Sequence, residues 1–161
     1  MSAFILSACG LIGLLFLVFL EPAGARGVVS IPIHGPLSKR PTVKHHMGPP
    51  PARLVTRDLI RGVGPRATNG EVLTVDYVGA FYRNGKMFDS SWSRHEPFVF
   101  PLGRGEVIEG WERGLIGMRV GGRRELVVPA SLAYGKKGSP PTIPPNSTLV
   151  FVVDLLASSI H

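Results

Sequence analysis

Cysteine is almost absent. Cys9 is the only one in 161 residues, which excludes a disulfide framework and any cysteine-built zinc site. Acids are scarce as well: 11 Asp and Glu stand against 18 Lys and Arg, for a formal charge of +7. The bases are scattered rather than blocked. No helix or strand pattern carries a basic face with interleaved aromatics, so the charge reads as solubility and loose attraction to anions, and nucleic acid is not an expected partner. Charged residues amount to 18 % and hydrophobic ones to 44 %. That is enough apolar material for one packed domain with extensions, and too short a chain for two domains.

The parts of several reaction centres are also missing. No G-x-S-x-G elbow exists, and Gly103 and Gly105 are not followed by the rest of a dinucleotide fingerprint. His95 is the one histidine between residue 52 and the terminal His161. Hydrolytic, redox and phosphoryl chemistry therefore lack their residues, and no cofactor or metal is expected. His34, His45 and His46 could bind a metal, but nothing at fixed spacing completes a site. What is plentiful is Gly (20) and Pro (15), which favours a loop-rich, β-rich fold over a helical bundle.

Residues 3–20, AFILSACGLIGLLFLVFL, form one uncharged apolar run, followed by Ala23-Gly24-Ala25. Three readings stay open. A signal peptidase would cut such a small-residue site, leaving a chain that begins near Arg26, although no basic residue precedes the run. The run is also just long enough to remain as a membrane anchor through residues 3–20. Leu6-Ser7-Ala8-Cys9 resembles a lipobox. Each reading makes the protein exported (periplasmic, cell-surface or secreted) and sets residues 1–25 aside as signal peptide or membrane anchor. Residues 26–51 are rich in Pro and His, lack periodicity and end on Pro49-Pro50-Pro51. They are expected to be a flexible linker.

Residues 52–161 are expected to form the domain. Arg53 to Ile60 reads as a strand. In Val72 to Val78, Leu73, Val75 and Tyr77 share one face and Thr74 and Asp76 the other. Asn84-Gly85 signals a tight turn before a strand at Met87-Phe88. Pro97 to Leu102 and Arg124 to Val128 are further strands. Thr148 to Leu156 is apolar on both faces and so reads as central. Glu106 to Met118 holds the single plausible helix, with Trp111, Leu115 and Met118 at i, i+4 and i+7 and with Glu109 and Glu112 towards its positive end. The fold class that follows is α+β: a half-barrel of five to six strands wrapped around one short helix. Tyr77, Phe88, Phe98, Phe100, Trp111, Tyr134 and Phe151 then form either a plain aromatic core or a cup for an apolar ligand. Composition does not choose between these.

Six segments add a resemblance: VDYVG (75–79), NGKMFDSS (84–91), PFVFPLG (97–103), EVIEGWERGLIGM (106–118), VGGRRELVVP (120–129) and AYGKKGSPPTIPPNSTLVF (133–151). In this order and spacing, Val72 to Leu156 resembles the FKBP-type peptidyl-prolyl cis-trans isomerases. The resemblance implies an antiparallel sheet wrapped around a short helix and an aromatic pocket that accelerates X-Pro isomerisation without a cofactor. It places Tyr77, Phe88, Asp89, Trp111 and Tyr134 as catalytic residues, and Phe98, Val107, Ile108, Ile143 and Phe151 as substrate-binding ones. Phe100 joins them by strand alternation with Phe98. Arg94 is implied as the ion-pair partner of Asp89, and the Ile108 N–H as a second donor beside the Tyr134 hydroxyl.

The implied partners are proline-containing polypeptides and macrolides of the rapamycin type. The loop Lys136 to Thr142 departs from the best-studied eukaryotic members, and the inserted flap and His-rich tail of some bacterial relatives are missing. The expected protein is a monomeric, single-domain bacterial isomerase that assists the folding of exported chains. A non-catalytic binding module and a surface-tethered assembly factor are the competing classes.

Overall fold

The computed structural model describes residues 29–30 and 35–160. The apolar run 3–20, Cys9, the Ala25 junction, His34 and His161 lie outside the described residues. Among those described, no helix is long and apolar enough to cross a membrane.

Two long strands carry the architecture: β3 (Glu71–Phe81) and β7 (Leu149–Ile160). They pair antiparallel from Glu71↔Ile160 to Phe81↔Leu149, with a bulge at Thr74/Val75. Each has its outer edge shared by two shorter strands. On β3, residues 72–75 pair with β5 (Phe98–Pro101) and residues 78–80 with β4 (Met87–Ser90). On β7, residues 149–154 pair with β6 (Arg123–Val128), and 157–158 with the two-residue β1 (Val29–Ser30). β2 (Val55–Ile60) closes the far edge on β6. Among the described residues the result is six antiparallel strands of four residues or more plus the short β1, open at both edges, as the expected half-barrel requires.

β7 is central because both of its faces are apolar. Leu149, Phe151, Val153 and Leu155 join the main core, with Leu73, Val75, Trp111, Leu115, Met118, Leu126 and Val128. The helix inside the concave face is α2 (Glu109–Gly114), much shorter than the 106–118 span expected from its apolar spacing. Trp111, Leu115 and Met118 are all buried as that spacing predicts, yet the last two lie past the helical turn. Gly117, at φ +75°, turns the chain out of the helix. On the other side Glu112 accepts N–H bonds from Gly103 and Gly105, the latter at 2.8 Å, and holds the preceding loop against the helix start.

The helix rides directly on β6. A Cβ on Gly110 would lie 2.3 Å from Val128 Cγ1, and one on Gly114 2.8 Å from Leu126 Cδ2. Val128 is fully buried and β-branched, so it cannot give way. This close approach sets the depth of Trp111, the next residue along.

Two features were not expected. The first is α1 (Ser91–Arg94), a single turn ended by His95 at φ 56°. The buried Ser91 hydroxyl accepts the Tyr77 N–H at 2.9 Å and donates to Asp76 at 2.7 Å, clamping this turn to β3. The second lies in the 26–51 segment, expected to be a flexible linker, of which 35–51 is among the described residues with β1. Residues 35–51 pack on the outer face of the sheet. Val43 covers Tyr82, Val127 and Val150. His46 stacks on Tyr82 at 5.0 Å, Tyr82 donates its hydroxyl to the Pro49 carbonyl at 3.2 Å, and Arg123 donates to the Lys39 carbonyl at 2.8 Å. The cause is the outward side of the sheet: Tyr82, Val127 and Val150 would otherwise face water.

Candidate active site

Trp111 is the hub of an aromatic cluster on the concave face. Its ring meets Tyr77 at 5.1 Å, Phe151 at 5.4 Å, Phe100 at 5.7 Å and Phe98 at 6.2 Å. The Tyr77 and Phe151 contacts are edge-to-face, near 90°, where the positive ring edge of one partner meets the negative face of the other. Phe88 extends the cluster from β4, edge-on to Phe151 at 5.7 Å. β3, β4, β5, α2 and β7 thus each contribute at least one ring.

Burial separates floor from rim. Trp111, Tyr77 and Phe151 are at most 7 % exposed, whereas Phe98 and Tyr134 are 36 % and 38 % exposed. Val107, Ile108 and Phe88 are half-buried and pack on the same core. Ile143 reaches the core from the long loop after β6. Phe100 faces the same way as Phe98, as alternation predicts, and stacks on it at 5.3 Å. At 2 % exposure it lies inside the packed cluster rather than at its edge.

A polar trio closes one side. Tyr77 donates its hydroxyl to Asp89 Oδ2, and Arg94 pairs with Asp89 Oδ1. Arg94 also donates to the Tyr77 hydroxyl at 2.9 Å, and the Ser90 N–H donates to Asp89 at 2.8 Å. Burial, reinforced by the Asp89 carboxylate, pushes the Tyr77 hydroxyl far above its ordinary range. Tyr134 is pushed up too, first by burial and then by the negative charge of Asp89. Both phenols therefore stay protonated donors at any physiological pH. The Tyr134 hydroxyl meets no hydrogen-bond partner among the described residues, so it is free to donate to a ligand. The Trp111 Nε1–H is buried and likewise without a partner.

The structure places Tyr77, Phe88, Phe98, Phe100, Trp111 and Phe151 in this one ring cluster, packs Val107, Ile108 and Ile143 against the same core, and sets Asp89, Arg94 and Tyr134 beside it. Residue-type reasoning missed others that build it. Gly79 makes room for two rings: a Cβ there would lie 2.8 Å from Phe88 Cζ and 2.9 Å from Phe151 Cε1. Phe81 braces Phe88 at 5.1 Å. Ser91 and Glu112 position the polar trio and the loop before the helix. Gly79 and Ser91 carry no sequence signal beyond being small beside aromatic strands, and Glu112 is marked only as an acid near the start of the helix.

Residues 64–156 match the family model described as FKBP-type peptidyl-prolyl cis-trans isomerase. An FK506-binding protein of Streptomyces anulatus is 48 % identical over 120 residues, covering 74 % of this chain and 97 % of that protein. FK506-binding protein 4 of Rhizopus delemar is 50 % identical over 107 residues, 66 % of this chain but only 28 % of that longer protein. The crystal structure of AtFKBP13 superposes with a TM-score of 0.62 at 39 % identity, covering 66 % of this chain and 94 % of that one.

Proposed function

The chain belongs to the FKBP-type peptidyl-prolyl cis-trans isomerases, and from that premise we propose that the Trp111-centred cup is where the X-Pro bond turns. The observation that carries this is the arrangement itself: a buried floor of rings, an exposed apolar rim, and a neutral hydroxyl donor without a partner.

Rotation about a peptide bond faces a barrier of about 18–20 kcal/mol. Left alone, X-Pro bonds exchange over roughly 10–100 s at 25 °C. No bond need break; resonance has only to be weakened. A planar amide carries a large charge separation between nitrogen and oxygen, and a twisted one loses much of it. A dry apolar cup therefore raises the planar form relative to the twisted one, and each ~1.4 kcal/mol of that difference is tenfold in rate. Trp111 serves as the floor beneath the proline ring. Tyr77, Phe88, Phe98, Phe151, Val107 and Ile108 serve as walls, with Phe100 and Ile143 supporting them. The Tyr134 hydroxyl holds the substrate carbonyl, with the Ile108 N–H as a second donor, and Asp89 places negative potential at the rim.

The test is the cis-to-trans rate of a Leu-Pro peptide, with and without a rapamycin-type macrolide. The macrolide should abolish the acceleration by filling the cup. Acceleration that persists at saturating macrolide would place the reaction elsewhere.

The substrates we propose are proline-containing chains folding after export. This rests on the apolar run 3–20 and the Ala23-Gly24-Ala25 site. The intact mass of the protein recovered from its source cells checks it. A chain beginning near Arg26 outside the cytoplasm fits a cleaved signal, and a full-length chain in the membrane fraction fits an anchor. Recovery from the cytosol would overturn the export reading.

A further inference from the structure

Two pairs of arginines from distant stretches of the chain, Arg61 with Arg66 and Arg119 with Arg124, converge at the β2–β6 edge of the sheet, away from the aromatic cluster. There a cavity of about 360 Å³ opens, lined by Arg61, Arg66, Arg119 and Arg124 with one carboxylate, Asp58. Gly62, Gly117 and Gly122 also line it. A Cβ on Gly62 would lie 2.4 Å from the Arg119 and Val120 carbonyl oxygens. The loop 62–67 is stitched to residues 117–120 by four backbone hydrogen bonds: Gly64 to Val120, Val120 to Pro65, Ala67 to Met118 and Gly117 to Ala67, at 2.7–3.0 Å. These bonds tie the backbone of the wall together, so the ordering cost of binding falls on the arginine side chains.

The arginines divide into two kinds. Arg124 is committed: Nε and Nη2 donate to Asp58 at 2.6 and 3.2 Å, and Nη1 donates to the Gly114 and Ile116 carbonyls at 2.9 and 3.3 Å. Arg119 is anchored by a single bond from Nη1 to the Gly64 carbonyl at 2.9 Å, leaving most of its donors unused. Arg61 and Arg66 make no hydrogen bond or ion pair among the described residues. One carboxylate against four guanidiniums leaves a strong positive excess around one concavity. A single carboxylate ligand would leave most of it uncompensated, whereas a multivalent oxyanion would balance it. Planar guanidinium forks match phosphate oxygens two at a time. The volume sits at the lower end of small-ligand pockets, roughly 300–1,000 Å³.

We propose that this cavity is a second binding site, separate from the isomerase cup, for a phosphate-class oxyanion with two or more negative charges, gripped by Arg61, Arg66 and Arg119. That chemistry is offered both by condensed phosphates free in solution and by phosphomonoester headgroups of lipids, so two probes are needed. The full chain is titrated by calorimetry with pyrophosphate and with glycerol 1-phosphate at constant ionic strength, since screening alone alters exposed charge interactions.

Saturable one-to-one binding is expected. It should weaken about tenfold or more in the Arg61→Gln/Arg66→Gln double variant and stay unchanged in Arg83→Gln, which removes an exposed arginine elsewhere. Isomerase rates should be equal in all three proteins, which also certifies folding. Tighter pyrophosphate binding assigns the site to condensed phosphates, and tighter glycerol 1-phosphate binding to a headgroup. Non-saturable binding, or equal loss in Arg83→Gln, would reduce the effect to net charge and overturn the proposal.

Discussion

Asp89→Leu is expected to lower kcat/KM for a Leu-Pro peptide by about tenfold or more, equivalent to about 1.4 kcal/mol of transition-state stabilisation. The carboxylate accepts from the Tyr77 hydroxyl, from Arg94 and from the Ser90 N–H. Leucine keeps the approximate volume and removes every acceptor. Arg94 then stands at the rim uncompensated, still bonded to the Tyr77 hydroxyl at 2.9 Å, and the sign of the local potential reverses. Hydrogen bonds to charged groups contribute about 1.5–3 kcal/mol each, so stability falls as well.

Stability and catalysis must therefore be measured together. Tyr77→Phe is the companion variant, since it keeps the ring and the carboxylate and loses one bond. If Asp89 shapes the potential felt by the turning amide, Asp89→Leu loses far more kcat/KM than Tyr77→Phe at matched stability. An unchanged kcat/KM with reduced stability would leave Asp89 a purely structural ion-pair partner.

The largest stability effect is expected at the opposite face of the sheet, from Arg123→Ala. Asp154 lies fully buried in the middle of β7, and Arg123, its register partner on β6, grips both carboxylate oxygens at 2.6 and 2.7 Å. Removing the guanidinium strands a buried charge, which costs about 3–5 kcal/mol at neutral pH. The loss is read as a shift in the denaturation midpoint at constant slope.

Its pH dependence has a definite sign. Burial raises the Asp154 carboxyl above its ordinary 3.8, Arg123 pulls it down, and Asp76 across the β3–β7 pair pushes it up again; the net is upward. A carboxyl raised on folding binds a proton more readily in the folded state. The cost of keeping it charged is therefore present above the folded pKa and relieved as pH falls through that value. Without Arg123 the rise is larger. The deficit of Arg123→Ala relative to the parent should thus be greatest near neutrality and shrink as pH falls towards the ordinary carboxylate value. A deficit independent of pH would assign the loss to packing and to the lost Lys39 carbonyl contact alone.

Much of the scaffold was legible in particular residues. The alternation of Leu73, Val75 and Tyr77 put one face of β3 inward, and all three are buried. Asn84-Gly85 gave the turn its chemistry: Gly85 takes φ +67° and the Asn84 side chain accepts the Lys86 N–H at 2.9 Å. The two-sided apolar run after Thr148 read as central, and β7 is buried from Leu149 to Ser158. Helix α2 was legible in its apolar face but not in its length. The side chains that Trp111, Leu115 and Met118 bury are set by local spacing, whereas Gly117 and the Glu112 clamp on Gly103 and Gly105 decide where the helical turn starts and stops.

The remainder depended on residues distant in sequence. Nothing periodic marks Val43 or His46, because their order comes from Tyr82, in the turn just after β3, and from Val150 on β7. Arg61, Arg66, Arg119 and Arg124 look scattered along the chain and meet only because β2 pairs with β6 and the loop 62–67 lies on the turn at 117–120. Likewise the aromatic set was visible as composition, but composition could not separate a solid core from a cup. Strand alternation, turn residues and the matched segments determined the fold class and the family, since each is a local pattern that a stretch of ten or so residues can hold. Which rings meet at Trp111, whether a proline-rich segment is loose or docked, and where spare charge gathers were decided by tertiary packing, because each is a distance between surfaces that the chain brings together only when it folds.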